Sequence, residues 1–255
     1  MEKSNTAAEL TQKKQNKKLN SNHIKLIAII AMTIDHLTWT LWPGYRQEWW
    51  IILLHLIGRL TAPTMWFMIC EGFHYTRDVK KYALRLFIFA IISHFAYNFC
   101  FAIPFVPLKT GFINQTSVMW SLAWAVTALY VLNDSRFKEK STLLKVLFLF
   151  AVCVITFLSD WSCIAVLAII FMNDSYGNLK KQIATIMIFV FFYAVVYFFN
   201  IDKLYAVLQL GVIIVWPFMA NYNGQRGKWK GMKWFFYIYY PLHLFLLGLL
   251  RIYLY

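Results

Sequence analysis

Residues 24–42 read IKLIAIIAMTIDHLTWTLW, and this stretch sets the pattern for the chain. About 20 apolar residues, rising about 1.5 Å each, carry a helix across a hydrocarbon core of about 30 Å. Comparable runs follow at Trp50 to Gly72, Tyr82 to Phe105, Ser117 to Leu132, Thr142 to Leu158, Lys181 to Phe199, Leu204 to Ala220 and Lys233 to Leu254. Trp161 to Met172 is short for a span, so Thr142 to Met172 is either a tight helical hairpin or ends in a re-entrant segment. The expected architecture is all-α, a polytopic integral membrane helical bundle of about nine transmembrane helices over residues 23–255. A polar, lysine-bearing tail, residues 1–22, precedes it, and with no small-residue cleavage site after the first run it reads as a retained cytoplasmic tail.

Composition and charge agree with a lipid solvent. Hydrophobic residues make up 60% of the 255, aromatic residues 19% and charged residues only 14%, whereas soluble domains are nearer half apolar with more charge. A net charge of +14 in a soluble protein would suggest nucleic acid. With the N-terminus cytoplasmic and nine crossings, however, Arg46, Lys109, Lys203 and Arg251 alone fall outside, and Arg59 lies within a helix. The remaining lysines and arginines sit inside, as the positive-inside rule requires, so orientation and contact with anionic lipid account for the charge and no nucleic-acid partner is expected. The cysteines, Cys70, Cys100, Cys153 and Cys163, lie in apolar runs without paired or metal-type spacing, and neither a disulfide nor a metal site is expected.

Ionisable residues inside spans are costly, and they usually face a cavity or a partner. Asp35 and His36 lie in the first span, His55 and Arg59 one turn apart in the second, His94 and Asn98 in the third, and His243 in the last. Counting along the helices places His36, His94 and His243 at a similar depth. An Asp35–Arg59 ion pair is the structural explanation for those two residues; a group of titratable residues at one depth also suits proton handling. Asp35 does not face its neighbour His36 on a helix, so the partner of His36 must come from another helix, His243 being the candidate.

A second cluster lies at the inner end of the second span, with Glu71, His74, Tyr75, Arg77 and Lys81. It suits either the phosphates of a cytosolic cofactor or a solvated positive loop. The loop Gly224 to Gly231, with Arg226, Lys228 and Lys230, matches no P-loop. Lys25 and His36 are eleven residues apart, which puts both on one helix face separated by about 16 Å. Such a face would let an elongated donor keep its phosphates at the mouth while its reactive end reaches the midplane.

Gly58-Arg59-Leu60-Thr61-Ala62-Pro63, followed by Glu71-Gly72-Phe73-His74-Tyr75-Thr76-Arg77, resembles the signature of the TraX family, and Asp35-His36 and Tyr239-Tyr240-Pro241-Leu242-His243 are similar to its pattern. The Lys25-to-His36 spacing also resembles the basic-residue-to-histidine motif of the acyltransferase-three family, with lysine where arginine is more usual. These resemblances imply a membrane acetyltransferase in a bacterial cytoplasmic membrane. It would take an acetyl or other acyl group from acyl-CoA to a pilin N-terminus or another surface molecule, without a metal. In that chemistry His36 is the expected base, Asp35 and His243 its tuning partners, and Arg59 the oxyanion stabiliser. Lys25, Glu71, His74, Tyr75, Arg77 and Lys81 are the candidates for binding the cofactor. Intramembrane Asp, Arg and His residues suit a proton-coupled transporter equally well, and a non-catalytic filament-assembly factor is a third possibility.

Overall fold

The computed structural model describes residues 17–103 and 115–255. Lys3, Lys13, Lys14 and Lys109 lie outside the described residues. Among the described residues six helical stretches are long and apolar enough to cross a membrane: Ser21–Leu41, Trp49–Tyr75, Val79–Cys100, Leu179–Asn200, Lys203–Ala220 and Met232–Leu254. Three further apolar helices, Val118–Asn133, Thr142–Thr156 and Ser162–Asp174, are shorter. The expected apolar segments are thus present in the expected order and all are helical.

The first helix, α1 (Ser21–Leu41), starts at a capping box in which the Asn20 side chain accepts from the Asn22 and His23 amides. The second long stretch is two helices, α2 (Trp49–Gly58) and α3 (Thr61–Tyr75). Pro63 explains the break, because its ring lacks an N–H and crowds the carbonyl four residues back, that of Arg59. After it come α4 (Val79–Cys100), capped by Asp78, and α5 (Val118–Asn133). The Lys81 amide bonds the Asp78 carboxylate, and this, with the Lys81 ammonium, holds its pKa below the ordinary range. A short turn, α6 (Ser135–Lys138), leads to α7 (Thr142–Thr156) and α8 (Ser162–Asp174). Next come α9 (Leu179–Asn200) and a second interrupted stretch: α10 (Lys203–Gln209), a 3-10 segment (Leu210–Val215) and α11 (Trp216–Ala220). Here too a proline, Pro217, follows the irregular backbone. The last helix is α12 (Met232–Leu254).

Helix α8 occupies the middle of the bundle. Ala165, Val166, Ala168, Ile169 and Met172 are fully buried, as are Ala123, Ala125 and Ala128 of the neighbouring α5, and such small residues let helix backbones approach. Its thirteen residues cover only about 20 Å. They nevertheless run from the Ser159–Thr116 pairing to the His74–Asn173 contact at the other end of the bundle, which makes α7 and α8 a helical hairpin. By contrast α7 and α9 expose Leu147, Phe150, Val154, Phe191, Phe192 and Phe199, an apolar surface suited to lipid and not to water. The end that holds Ser21, Tyr75 and Asn221 also gathers the described lysines and arginines of the connecting loops, whereas Arg46, Lys203 and Arg251 lie at the far end.

Candidate functional site

Both interrupted stretches meet at Arg59, which with Leu60 lies between the helices at the Pro63 break. Its Nη2 donates to Asp35 Oδ1 and Oδ2 at 3.2 and 3.3 Å, Nη1 to Gln209 Oε1 at 2.7 Å, and Nε to the His55 carbonyl at 3.3 Å. Gln209 is the last residue of α10, just before the second break. His55 completes the carboxylate's shell, its Nδ1–H donating to Asp35 Oδ1 at 2.8 Å. The expected ion pair is therefore present and more fully satisfied than a bare pair. Gly58 makes it possible, because a Cβ there would lie 2.5 Å from Asp35 Cβ, Cγ and Oδ1. Asp35 is thus engaged by Arg59 and His55, and, as its neighbouring helix position implies, its carboxylate is not the hydrogen-bond partner of His36.

The His36 and His243 rings lie parallel to within 2° with centroids 5.1 Å apart, and they meet edge to edge, His36 Nδ1 being 2.8 Å from His243 Nε2. Hydrogen-bond accounting assigns the protons. His243 Nδ1 lies 3.0 Å from the Tyr239 carbonyl, which can only accept, so Nδ1 carries the hydrogen. In the neutral ring Nε2 is then an acceptor, and His36 must donate to it from Nδ1. His36 Nε2 is left with a free lone pair, the form a general base needs. Tyr239 is itself anchored: its hydroxyl lies 2.7 Å from Thr33 Oγ1, and that hydroxyl in turn donates to the Ile29 carbonyl.

His36 and Arg59 line a cavity of about 290 Å³ in the far half of the bundle, together with Asp35, Gln209, Asp160 and a wall of Trp39, Tyr97, Trp161, Tyr193, Tyr197 and Tyr205. A narrower recess of about 50 Å³ leads from the same residues past Thr61 and Tyr240 to Met65. Met65 also lines a second cavity of about 250 Å³ at the basic end, so it borders both the recess and that cavity. The α1 face expected to join the two ends does so: Lys25 lines the basic cavity and His36 the far one.

Asp160 carries no weight in the sequence reading, yet it faces the same cavity. It sits in the α7–α8 turn, where Trp161 and Ser162 both take left-handed backbone (φ 63° and 51°), a strained geometry for residues with side chains. Its signal was available, since it is the one carboxylate between Glu139 and Asp174. Gln209 likewise is the one side-chain amide in the run from Leu204 to Ala220.

Other expected residues fall elsewhere. His94 bonds Asn98 on its own helix and lines neither cavity, so two imidazoles converge and not three. At the basic end Lys25, Glu71 and Tyr75 line the cavity system, and Glu71 accepts from the Tyr222 hydroxyl at 3.1 Å. His74 is turned outward, stacked 3.6 Å from Tyr176 and bonded to Asn173. Arg77 is exposed, Lys81 is paired with Asp78, and neither lines the cavities at the basic end. Among the described residues no cluster of His, Cys, Asp and Glu could hold a metal.

Residues 20–251 match the protein family described as TraX protein. The chain belongs to the TraX family. A curated relative, the probable fimbrial assembly protein FimC, serogroup H1, of Dichelobacter nodosus, is 28% identical over 233 residues, covering 88% of this chain and 92% of that protein. No solved structure matches the chain. The TraX match contains both interrupted stretches and both histidines, so the whole cavity lies within the family region.

Proposed function

We propose that this TraX-family chain is a bacterial cytoplasmic-membrane acyltransferase with its basic end in the cytoplasm. It would move an acetyl or related acyl group from cytosolic acyl-CoA to an acceptor on the other side. The observation that carries this reading is the His36–His243 pair, whose hydrogen bonds leave an unprotonated Nε2 in a cavity shared with an arginine. The fimbrial name of the relative supports a surface-filament acceptor, such as the amino terminus of a pilin.

In the proposed step His36 Nε2 removes the proton from the acceptor amine or hydroxyl as that atom attacks the thioester carbon. The oxyanion forms beside Arg59, which keeps at least one Nη1–H beyond its bonds to Asp35, Gln209 and His55. Collapse breaks the C–S bond, and the thiolate leaves with the proton from His36. Asp35 holds Arg59 in place. The buried ion pair thus has a positioning task, and the strained turn at Trp161 presents Asp160 to the same space.

One observation favours a second reading. Two interrupted helices meeting at a charged pair resemble the substrate sites of secondary transporters. Inside-out membrane vesicles given [acetyl-14C]acetyl-CoA separate the two. Label appearing in a protein or polymer acceptor, dependent on His36, supports the acyltransferase; acetyl-CoA left intact by vesicles that contain the folded protein and an acceptor refutes it.

A further inference from the structure

The loop between α11 and α12 is tied down. Leu19 and Asn221–Asn223 exchange backbone bonds of 3.1 and 2.8 Å, the Ser21 amide donates to the Gln225 carbonyl at 2.8 Å, and the Asn22 side chain donates to the Trp229 carbonyl. Gly227, at φ +84°, lies so close to Asn20 and Asn22 that a Cβ would meet them at 2.7 to 2.9 Å. The backbone of this loop is therefore held against the start of α1.

Held this way, the loop aims Arg226 and Lys230 into the basic cavity, where Lys25 of α1 and Lys233 of α12 join them. Lys228, between them in sequence, does not line it. The one acid of the cavity system among the described residues is Glu71, which lines the adjoining recess with Lys25 and Arg226 and accepts from Tyr222, and none of the four cations forms an ion pair among the described residues. Arg85 adds its charge close to Lys233. Four like charges gathered beside a single carboxylate repel one another, and an anionic ligand relieves that repulsion. Beneath the mouth the walls turn apolar, with Met68, Ile69, Leu86, Met119, Leu122 and Phe236, as far as Met65.

We infer that Lys25, Arg226, Lys230 and Lys233 form a binding site for a phosphate ester bearing an elongated, weakly polar arm that descends toward Met65. Two sources share this chemistry: a soluble phosphorylated thiol such as coenzyme A, and an anionic phospholipid from the adjacent leaflet. Assigning the arm to the acyl donor rests on the acyl-transfer reading; the phosphate site itself does not. It also moves the phosphate contacts from Arg77 and Lys81 to the loop before α12.

The test is binding of unacylated coenzyme A to the full-length protein in detergent by titration calorimetry, with dioctanoyl phosphatidylglycerol as the lipid arm. The exposed pair Arg226→Gln/Lys230→Gln is compared with the charge-matched control Lys180→Gln/Lys228→Gln, each first shown to be folded and monodisperse. The expected result is at least a tenfold loss of coenzyme A affinity in the first variant and less than a twofold change in the control. The phospholipid binding in place of coenzyme A, with the same dependence on Arg226 and Lys230, upholds the site and assigns it to lipid. Equal affinity in both variants, or no binding of either probe, overturns it. Coenzyme A bound here without any acyl transfer would instead sink the enzyme reading and leave the site standing.

Discussion

Replacing His243 with leucine tests whether the histidine pair sets the chemistry. The imidazole of His243 accepts from His36 Nδ1 at 2.8 Å because its own Nδ1–H is committed to the Tyr239 carbonyl. Leucine offers no acceptor, so His36 loses the bond that fixes its tautomer and that would stabilise the imidazolium formed in the reaction. A hydrogen bond to a charged partner is worth about 1.5–3 kcal/mol, which corresponds to a roughly 10- to 150-fold fall in kcat. Because His243 acts through His36 and does not line the far cavity, KM for acetyl-CoA should stay within about twofold of the wild type. His243→Gln, whose amide oxygen can accept, should recover part of the loss. The readout is thiol release from acetyl-CoA by folded, purified protein in the presence of acceptor. An unchanged kcat in His243→Leu, or a change confined to KM, would refute the positioning role.

Asp35→Asn should leave Arg59 buried without its counter-charge and destabilise the protein by about 3–5 kcal/mol, seen as a marked fall in the melting temperature in detergent. Asp35→Asn combined with Arg59→Gln should cost less than the sum of the two single changes. Gly58→Ala places a methyl group 2.5 Å from the Asp35 side chain, and overpacking of that kind costs about 1–3 kcal/mol, read in the same thermal measurement. For orientation, a cysteine placed at Glu48 should react with a membrane-impermeant maleimide in intact cells, whereas one at Lys140 should react only after lysis. The opposite pattern would invert the topology.

Much of the fold is legible in the sequence because a lipid solvent leaves few options. Backbone groups must be satisfied within helices, so long apolar runs such as Leu179–Asn200 read directly. The Asp35–Arg59 and His36–His243 pairings were also within reach, since stranded polar groups at similar depths must find one another. Helix interruption was harder. Hydropathy runs straight through Arg59 and through Gln209, and only Pro63 and Pro217 betray that the ladder stops there. Asp160, though the lone carboxylate of its stretch, drew no notice because it sits in a turn, where an acid needs no explanation until packing folds the turn inward. His94 misled for the converse reason, as depth along a helix says nothing of the face, and Asn98 satisfies it one turn away. The basic mouth misled in the same way: Arg77 and Lys81 have the right spacing, but only the tie between Leu19 and the loop at Asn221 brings Arg226 and Lys230 over the cavity.

The acyl-transfer mechanism stands or falls on His36. Its most direct test is the rate of coenzyme A release from acetyl-CoA by the purified protein with acceptor present, compared with that of a folded His36→Ala variant. General-base catalysis contributes about 10²- to 10⁴-fold, and a loss of that size with coenzyme A binding intact is the expected result. Equal rates in the two proteins would contradict the mechanism.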